Sequence, residues 1–151
     1  MTILADMRPD SWNYPLFLHV FGAMVLAGGL LAGGSALTLA RGNVQQLRFG
    51  YFSLLYAALP GYVLMRIGAQ WIYSKEGWDN VDKEPTWLPI GYLAADGGGI
   101  LFLITLILGG IGVRRLRQGR GAGLLKATMA LSLVLLAAYV VAVWAMSGKP
   151  G

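Results

Sequence analysis

Four long apolar segments divide this chain of 151 residues and limit what it can fold into. They cover, approximately, residues 14–40, 49–73, 88–113 and 124–146. Each reaches or exceeds the roughly 20 residues that an α-helix needs to cross a hydrocarbon layer about 30 Å thick. Because backbone groups in hydrocarbon must be hydrogen-bonded within the segment, runs of this length predict helices. The sequence therefore predicts an all-α fold: one domain that is a membrane-spanning four-helix bundle.

The composition agrees with a membrane protein and removes several kinds of site. Apolar residues make up 56% of the chain and charged residues 13%, whereas about a quarter of a soluble globular chain is charged. The chain has no cysteine, which excludes disulfides, thiolate metal sites and iron–sulfur clusters. Its only histidine is His19, so no site can be built from several histidines of one chain, and we expect no metal site.

The basic residues concentrate in the first and third connections between the segments. These connections and their flanks hold seven of the twelve Lys and Arg residues and no acid: Arg41, Arg48, Arg114, Arg115, Arg117, Arg120 and Lys126. The positive-inside rule then predicts both termini on the outer face of a bacterial cytoplasmic membrane. Anionic lipid beside these connections accounts for the charge, and we expect no nucleic-acid partner.

The tryptophans agree with this topology. All five fall at or beyond the outer ends of the segments, where such rings prefer the headgroup level: Trp12, Trp71, Trp78, Trp87 and Trp144. We expect the outer connection, residues 74–87, to fold back onto the membrane surface as a cap.

Small residues at a spacing of four predict close helix packing. Gly29 and Gly33 follow this spacing in the first segment, and Gly109 and Gly110 lie near the inner end of the third. Such residues let helix backbones approach where apolar burial gives no drive. The pattern favours packing within the chain and leaves a homo-oligomer or a larger membrane complex open.

Three polar residues lie within the apolar segments, where they are energetically expensive. At 1.5 Å per residue, Arg66 lies about 7–8 Å below Trp71, Asp96 about 10–13 Å below Trp87, and His19 about 7–8 Å below Tyr14. All three therefore belong to the outer half of the bilayer at overlapping depths.

Arg66 and Asp96 are predicted to form an intramembrane ion pair. An unpaired charge at a helix centre costs about 2.5–3.5 kcal/mol, and pairing reduces that cost. The neighbouring polar and aromatic residues are candidate site-lining residues: Tyr62, Gln70, Tyr92, Tyr139 and Trp144. The three glycines after Asp96 favour a cavity at this level. The pair either fixes helix register or has a functional role, and no catalytic residue can be named.

His19 allows three interpretations. It is a haem or metal ligand, a proton-relay or substrate-binding group, or a packing residue hydrogen-bonded to a neighbouring helix. A haem needs one or two axial ligands, so His19 would suffice, with Met65, Met146 or a second subunit's His19 opposite. Arg66 could then hold a haem propionate.

Two stretches carry a resemblance to known proteins. Residues 14–31, YPLFLHVFGAMVLAGGLL, and residues 143–150, VWAMSGKP, resemble the first and closing helices of a family of predicted small bacterial integral membrane proteins without an assigned function. That family is distantly similar to the copper-resistance D-type membrane domain and to the four-helix haem-linked protoporphyrinogen oxidases. The resemblance implies that His19 is a haem-ligand candidate and that Lys149 and Pro150 match the terminal Lys-Pro.

Three functions remain open from the sequence. The first is a small polytopic membrane protein with a haem- or redox-linked site in the outer half of the bilayer that uses His19, Arg66 and Asp96, with haem b as the candidate cofactor. The second is a small transporter or channel component in which Arg66 and Asp96 line the path of an ion or solute. The third is an accessory subunit of a membrane complex without chemistry of its own.

Overall fold

The structure, a computed structural model, describes residues 10–77, 80, 82 and 85–148. All regular elements in these ranges are helical, which confirms the all-α prediction. They are a 3-10 turn (Asp10–Trp12), α1 (Asn13–Leu39), α2 (Val44–Ser53), a π-helical turn (Leu54–Ala58), α3 (Leu59–Glu76), α4 (Trp87–Leu116) and α5 (Ala122–Gly148). The second span is one continuous helix, Val44–Glu76, made of α2, the π turn and α3.

Four helices are long and apolar enough to cross a membrane, so the chain is a multi-pass membrane protein. They contain 27 to 33 residues, and each extends beyond its apolar segment at one end or at both ends. The second helix begins at Val44 and so includes Arg48, which the sequence pattern assigns to a connection. Asn43 explains this start, because its side-chain oxygen accepts from the backbone N–H groups of Gln45 and Gln46.

The four spans alternate in direction. On the second span, Gly68 lies against the backbone of His19 near the start of α1, whereas Gly50 lies against Leu37 near its end. In α4 and α5, Gly98 meets Tyr139, and Gly112 meets Leu125. We call the end at which α1 and α4 begin the tryptophan end, because Trp12, Trp71, Trp87 and Trp144 lie there. The opposite end is the arginine end, with Arg41, Arg114, Arg115, Arg117 and Arg120.

These four tryptophans lie at one end of the bundle, as the sequence pattern predicts. Five residues of the predicted cap, Trp78 among them, lie outside the described residues, as do Lys149 and Pro150. Which end faces outward stays a prediction.

Glycines set the closest contact of the bundle, between α1 and the second span. A Cβ added at Gly22 would collide with the backbone of Met65, and one added at Gly61 with the backbone of Leu26. A Cβ at Gly29 would lie 2.8 Å from Cα of Ala58. Real Cβ atoms do not approach backbone this closely, so these positions accept only glycine without movement of a helix.

The second span contains one departure from α-helical geometry. The N–H of Leu59 donates to the carbonyl of Leu54, five residues earlier, which makes residues 54–58 a π turn. Pro60 follows directly, and a proline lacks the N–H donor while its ring crowds the carbonyl four residues back. The π turn widens the helix at that point and so accommodates the ring.

The helices form two closely packed groups. α1 packs along the second span and on α5, α4 packs on α5, and α2 packs on α4. α3 and α4 are not among the pairs whose backbones pack closely, so long side chains bridge the space between them. In mid-bundle, an apolar layer of fully buried side chains fills the core: Leu26, Leu30, Phe102 and Leu135.

The glycine contact gives the first prediction. We expect Gly61→Ala and Gly22→Ala to destabilise the bundle by about 1–3 kcal/mol, because the added methyl group meets backbone and forces α1 away from the second span. Gly28→Ala is the matched control, since nothing lies within 4 Å of its Cβ position. Thermal unfolding in detergent measures the difference. Equal unfolding temperatures for all three variants would contradict the role of these glycines.

Candidate functional site: a polar cluster between α3, α4 and α5

An ion pair lies at the centre of the candidate site. Nη2 of Arg66, on α3, lies 2.7 Å from Oδ1 of Asp96, on α4. The Arg66 side chain is 27% exposed and the Asp96 side chain 58% exposed. The pair therefore bridges the two helices whose backbones stand apart, and it is open on one side.

Two tyrosine hydroxyls fill the space beside the glycines that follow Asp96. The Tyr62 hydroxyl, on α3, donates to the carbonyl oxygen of Ala95 at 2.9 Å and lies against Gly99. The Tyr139 hydroxyl, on α5, lies against Gly98, where a Cβ would come within 2.8 Å of it. The glycine run thus lets two phenols approach the backbone of α4, and it is filled by them.

Aromatic rings form a wall on the tryptophan-end side of the ion pair. Cζ of Arg66 lies 5.7 Å from the centroid of the Tyr92 ring, within cation–π range. Tyr92 in turn meets Tyr73 edge-on, with 5.4 Å between ring centroids. The guanidinium is therefore held by a carboxylate and by an aromatic face.

The Tyr139 hydroxyl is unsatisfied. Its side chain is only 7% exposed, and its oxygen has no hydrogen-bond partner in the part of the chain that the structure describes. A buried polar group left unpaired costs about 1–3 kcal/mol. A ligand atom or a water molecule would gain a hydrogen bond here once a neighbouring side chain moved, because the oxygen itself is covered.

His19 lies between α1 and α3. Its Nδ1 is 3.1 Å from the carbonyl oxygen of Met65. A carbonyl only accepts, so Nδ1 donates to it, and in a neutral ring Nε2 then carries the lone pair. This tautomer suits ligation of a metal by Nε2. The guanidinium of Arg66, which the haem interpretation assigns to a haem propionate, is bound to Asp96 instead. Haem binding therefore stays a prediction that depends on His19 alone.

The structure does not bring every candidate residue to this cluster. It places Tyr62, Arg66, Tyr92, Asp96 and Tyr139 together, and we call these five residues the polar cluster. Gln70 and Trp144 are exposed on the bundle surface. Sequence reasoning missed the Ala95 carbonyl as the partner of Tyr62, and no side-chain pattern signals a backbone acceptor.

The polar cluster has an apolar floor. Phe102 meets the Tyr62 ring edge-on, with 6.1 Å between centroids, and is 1% exposed. Together with the buried layer of Leu26, Leu30 and Leu135, it separates the cluster from the arginine end. The cluster thus belongs to the tryptophan end of the bundle.

Comparison with known protein families, with curated proteins and with solved structures gives no match in any of the three. The resemblance of the first and closing helices to small bacterial membrane proteins stays a prediction. The polar cluster itself carries the functional argument.

The ion pair gives a second prediction. We expect Arg66→Ala and Asp96→Ala each to lower stability, because each leaves one charge unpaired in a membrane span at a cost of up to about 2.5–3.5 kcal/mol. The double variant should lose less than the sum of the two single losses, with a coupling energy of about 1–3 kcal/mol. Thermal unfolding in detergent and in lipid nanodiscs measures all three. Gln70→Ala, one turn away and exposed, is the control. Additive losses would contradict an energetic contribution of the pair.

Proposed function

We propose that this protein binds a small zwitterionic solute in the polar cluster and is a component of solute transport across the membrane. The observation that carries the proposal is the half-open ion pair beside an unsatisfied tyrosine hydroxyl. Charges placed in a membrane span are expensive, and such residues mark substrate and ion pathways.

The ion pair retains unused binding capacity. A carboxylate accepts through two oxygens, and the salt bridge uses Oδ1 of Asp96. A guanidinium carries five N–H donors, and the salt bridge occupies Nη2 of Arg66. With Tyr139 as a further donor, the cluster offers both signs of charge to one ligand.

A zwitterion fits this arrangement better than a simple ion. A small anion that binds Arg66 leaves Asp96 unpaired, and a small cation that binds Asp96 leaves Arg66 unpaired. Leaving one charge uncompensated within a membrane span is energetically expensive. A solute with an ammonium and a carboxylate group gives each residue a new partner, with the Tyr139 hydroxyl donating to the solute carboxylate. No charge is then left unpaired.

The apolar floor limits the direction of access. Phe102 and the buried leucines close the cluster toward the arginine end, so the solute enters from the tryptophan end. By the charge pattern this end faces outward, and the protein then takes up its solute from the outer side of a bacterial cytoplasmic membrane.

The proposal predicts uptake by the purified protein in lipid vesicles. Radiolabelled glycine, alanine and glycine betaine are the zwitterionic probes, with acetate and methylammonium as singly charged probes. We expect uptake of at least one zwitterion above protein-free vesicles, and loss of about tenfold or more in Arg66→Gln and in Asp96→Asn. Thr38→Ala is the control, since Thr38 is an exposed residue near the arginine end whose hydroxyl donates to the carbonyl oxygen of Gly34 in its own helix.

Two results would contradict the proposal. One is the absence of uptake, together with no thermal stabilisation by any zwitterion. The other is unchanged uptake in both cluster variants. A visible spectrum of the same preparation tests the competing haem function: a Soret band that disappears in His19→Ala would favour a haem protein.

The orientation can be tested because the chain has no cysteine of its own. We expect a cysteine placed at Asn80, in the connection at the tryptophan end, to react with a membrane-impermeant thiol reagent in intact cells. A cysteine placed at Gln118, in the connection at the arginine end, should react only after lysis. The reverse pattern would place the polar cluster in the inner half of the bilayer and would reverse the direction of uptake.

A further inference from the structure

A groove at the arginine end, outside the polar cluster, combines an apolar cleft with three arginines. Between α2 and α4 lies a cleft of about 560 Å³, lined by Phe52, Leu103, Ile107 and Ile111 among others. A second cleft of about 430 Å³ lies between Arg48, Arg114 and Arg117. The two share Phe52, Val113 and Arg114, so they form one groove with an apolar part and a cationic mouth.

We propose that this groove binds one anionic phospholipid, with the headgroup phosphate between Arg48, Arg114 and Arg117 and an acyl chain in the apolar cleft. Arginine suits this role because its planar guanidinium donates two parallel hydrogen bonds to a phosphate. The proposal does not depend on the function of the polar cluster.

The charges of the groove are not neutralised by the protein. None of the three arginines has a carboxylate partner among the residues that the structure describes. The sequence shows why: the acidic residues occur near the N-terminus, in the second connection and at Asp96, and none lies in residues 41–48 or 114–126. Three guanidinium groups around one cleft therefore favour an anion.

The shape of the groove selects a lipid over a soluble anion. Leu103 precedes Arg114 by eleven residues on α4, which places it about 16 Å deeper along the helix at 1.5 Å per residue. The Phe52, Leu103 and Ile107 side chains are exposed on this face. A free phosphate would occupy the mouth and leave the apolar cleft empty. A phospholipid fills both parts.

Tyr51 forms the floor of the apolar cleft and shows why it exists. A Cβ on Gly109 would lie 2.6 Å from the Tyr51 ring, and one on Gly110 would lie 2.9 Å from its hydroxyl. The two glycines let the ring approach α4 closely. The surface beside the ring remains recessed between the two helices, and the cleft follows from this packing.

Native mass spectrometry of the detergent-purified full chain tests the site. Phosphatidylglycerol and phosphatidylcholine with identical acyl chains are offered at equal concentration. We expect retention of one phosphatidylglycerol molecule, preferred by about tenfold or more. The triple variant Arg48→Gln, Arg114→Gln, Arg117→Gln should lose this preference. The triple variant Arg41→Gln, Arg115→Gln, Arg120→Gln removes the same charge from the same end, outside the groove, and should keep it.

A second pair of variants tests the apolar part without changing charge. Ile107→Trp fills the cleft and should reduce retention of phosphatidylglycerol, whereas Val140→Trp, on an exposed face of α5, should not. Glycerol phosphate is the soluble probe and should neither bind nor raise the unfolding temperature.

Three outcomes would overturn the proposal. They are equal retention of the two lipids by the unmodified chain, equal loss of preference in both triple variants, and stabilisation by glycerol phosphate as large as that by phosphatidylglycerol. The second outcome would mean that net charge at the arginine end attracts lipid without a site. The third would mean an anion site that needs no acyl chain.

Discussion

The contact between α1 and the second span, at Gly22, Gly29 and Gly61, is the constraint on which the rest of the bundle depends. In a bilayer, apolar burial gives helices no drive to associate, so close van der Waals packing must supply it. Because α1 also packs on α5, and α5 on α4, this contact fixes α3 at a distance from α4. Only long side chains reach across that distance. The polar cluster lies in the wide space between α3 and α4, which exists because glycines hold α3 close to α1.

The four-helix architecture can be predicted from the sequence, whereas the helix ends and the π turn cannot. Length and apolarity predict four spans because a bilayer leaves the backbone no alternative to helix. The helix ends depend on local hydrogen bonds, and the cap at Asn43 adds a helical turn that includes Arg48. The π turn before Pro60 was not predicted. A proline in an apolar run indicates a local break in the helical hydrogen-bond pattern, but it does not indicate whether the backbone kinks or forms a π turn.

The candidate site, too, could be predicted from the sequence only in part. Counting residues from Trp71 and Trp87 places Arg66 and Asp96 at overlapping depths. An unpaired charge in hydrocarbon is energetically expensive, which favours contact between the two. The rotation of each helix about its own axis decides which other residues face the ion pair. The sequence alone does not give this rotation, because it depends on how the helices pack. Trp144, at a suitable depth, is exposed, and so is Gln70, one helical turn from Arg66. Tyr139 is buried against Gly98 by the same rotation.

The π turn has a consequence for how this chain tolerates changes in length. Its i→i+5 hydrogen bond takes up one extra residue within a single turn, so α2 and α3 keep nearly the phase of one regular helix. Removing one residue from 54–58 would restore a regular helix with little rotation of α3 relative to α2. Removing one residue between Pro60 and Arg66 would instead rotate the rest of α3 by about 100° and take Arg66 away from Asp96. Residues 54–58 are thus the place at which the second span can lose a residue and keep its register.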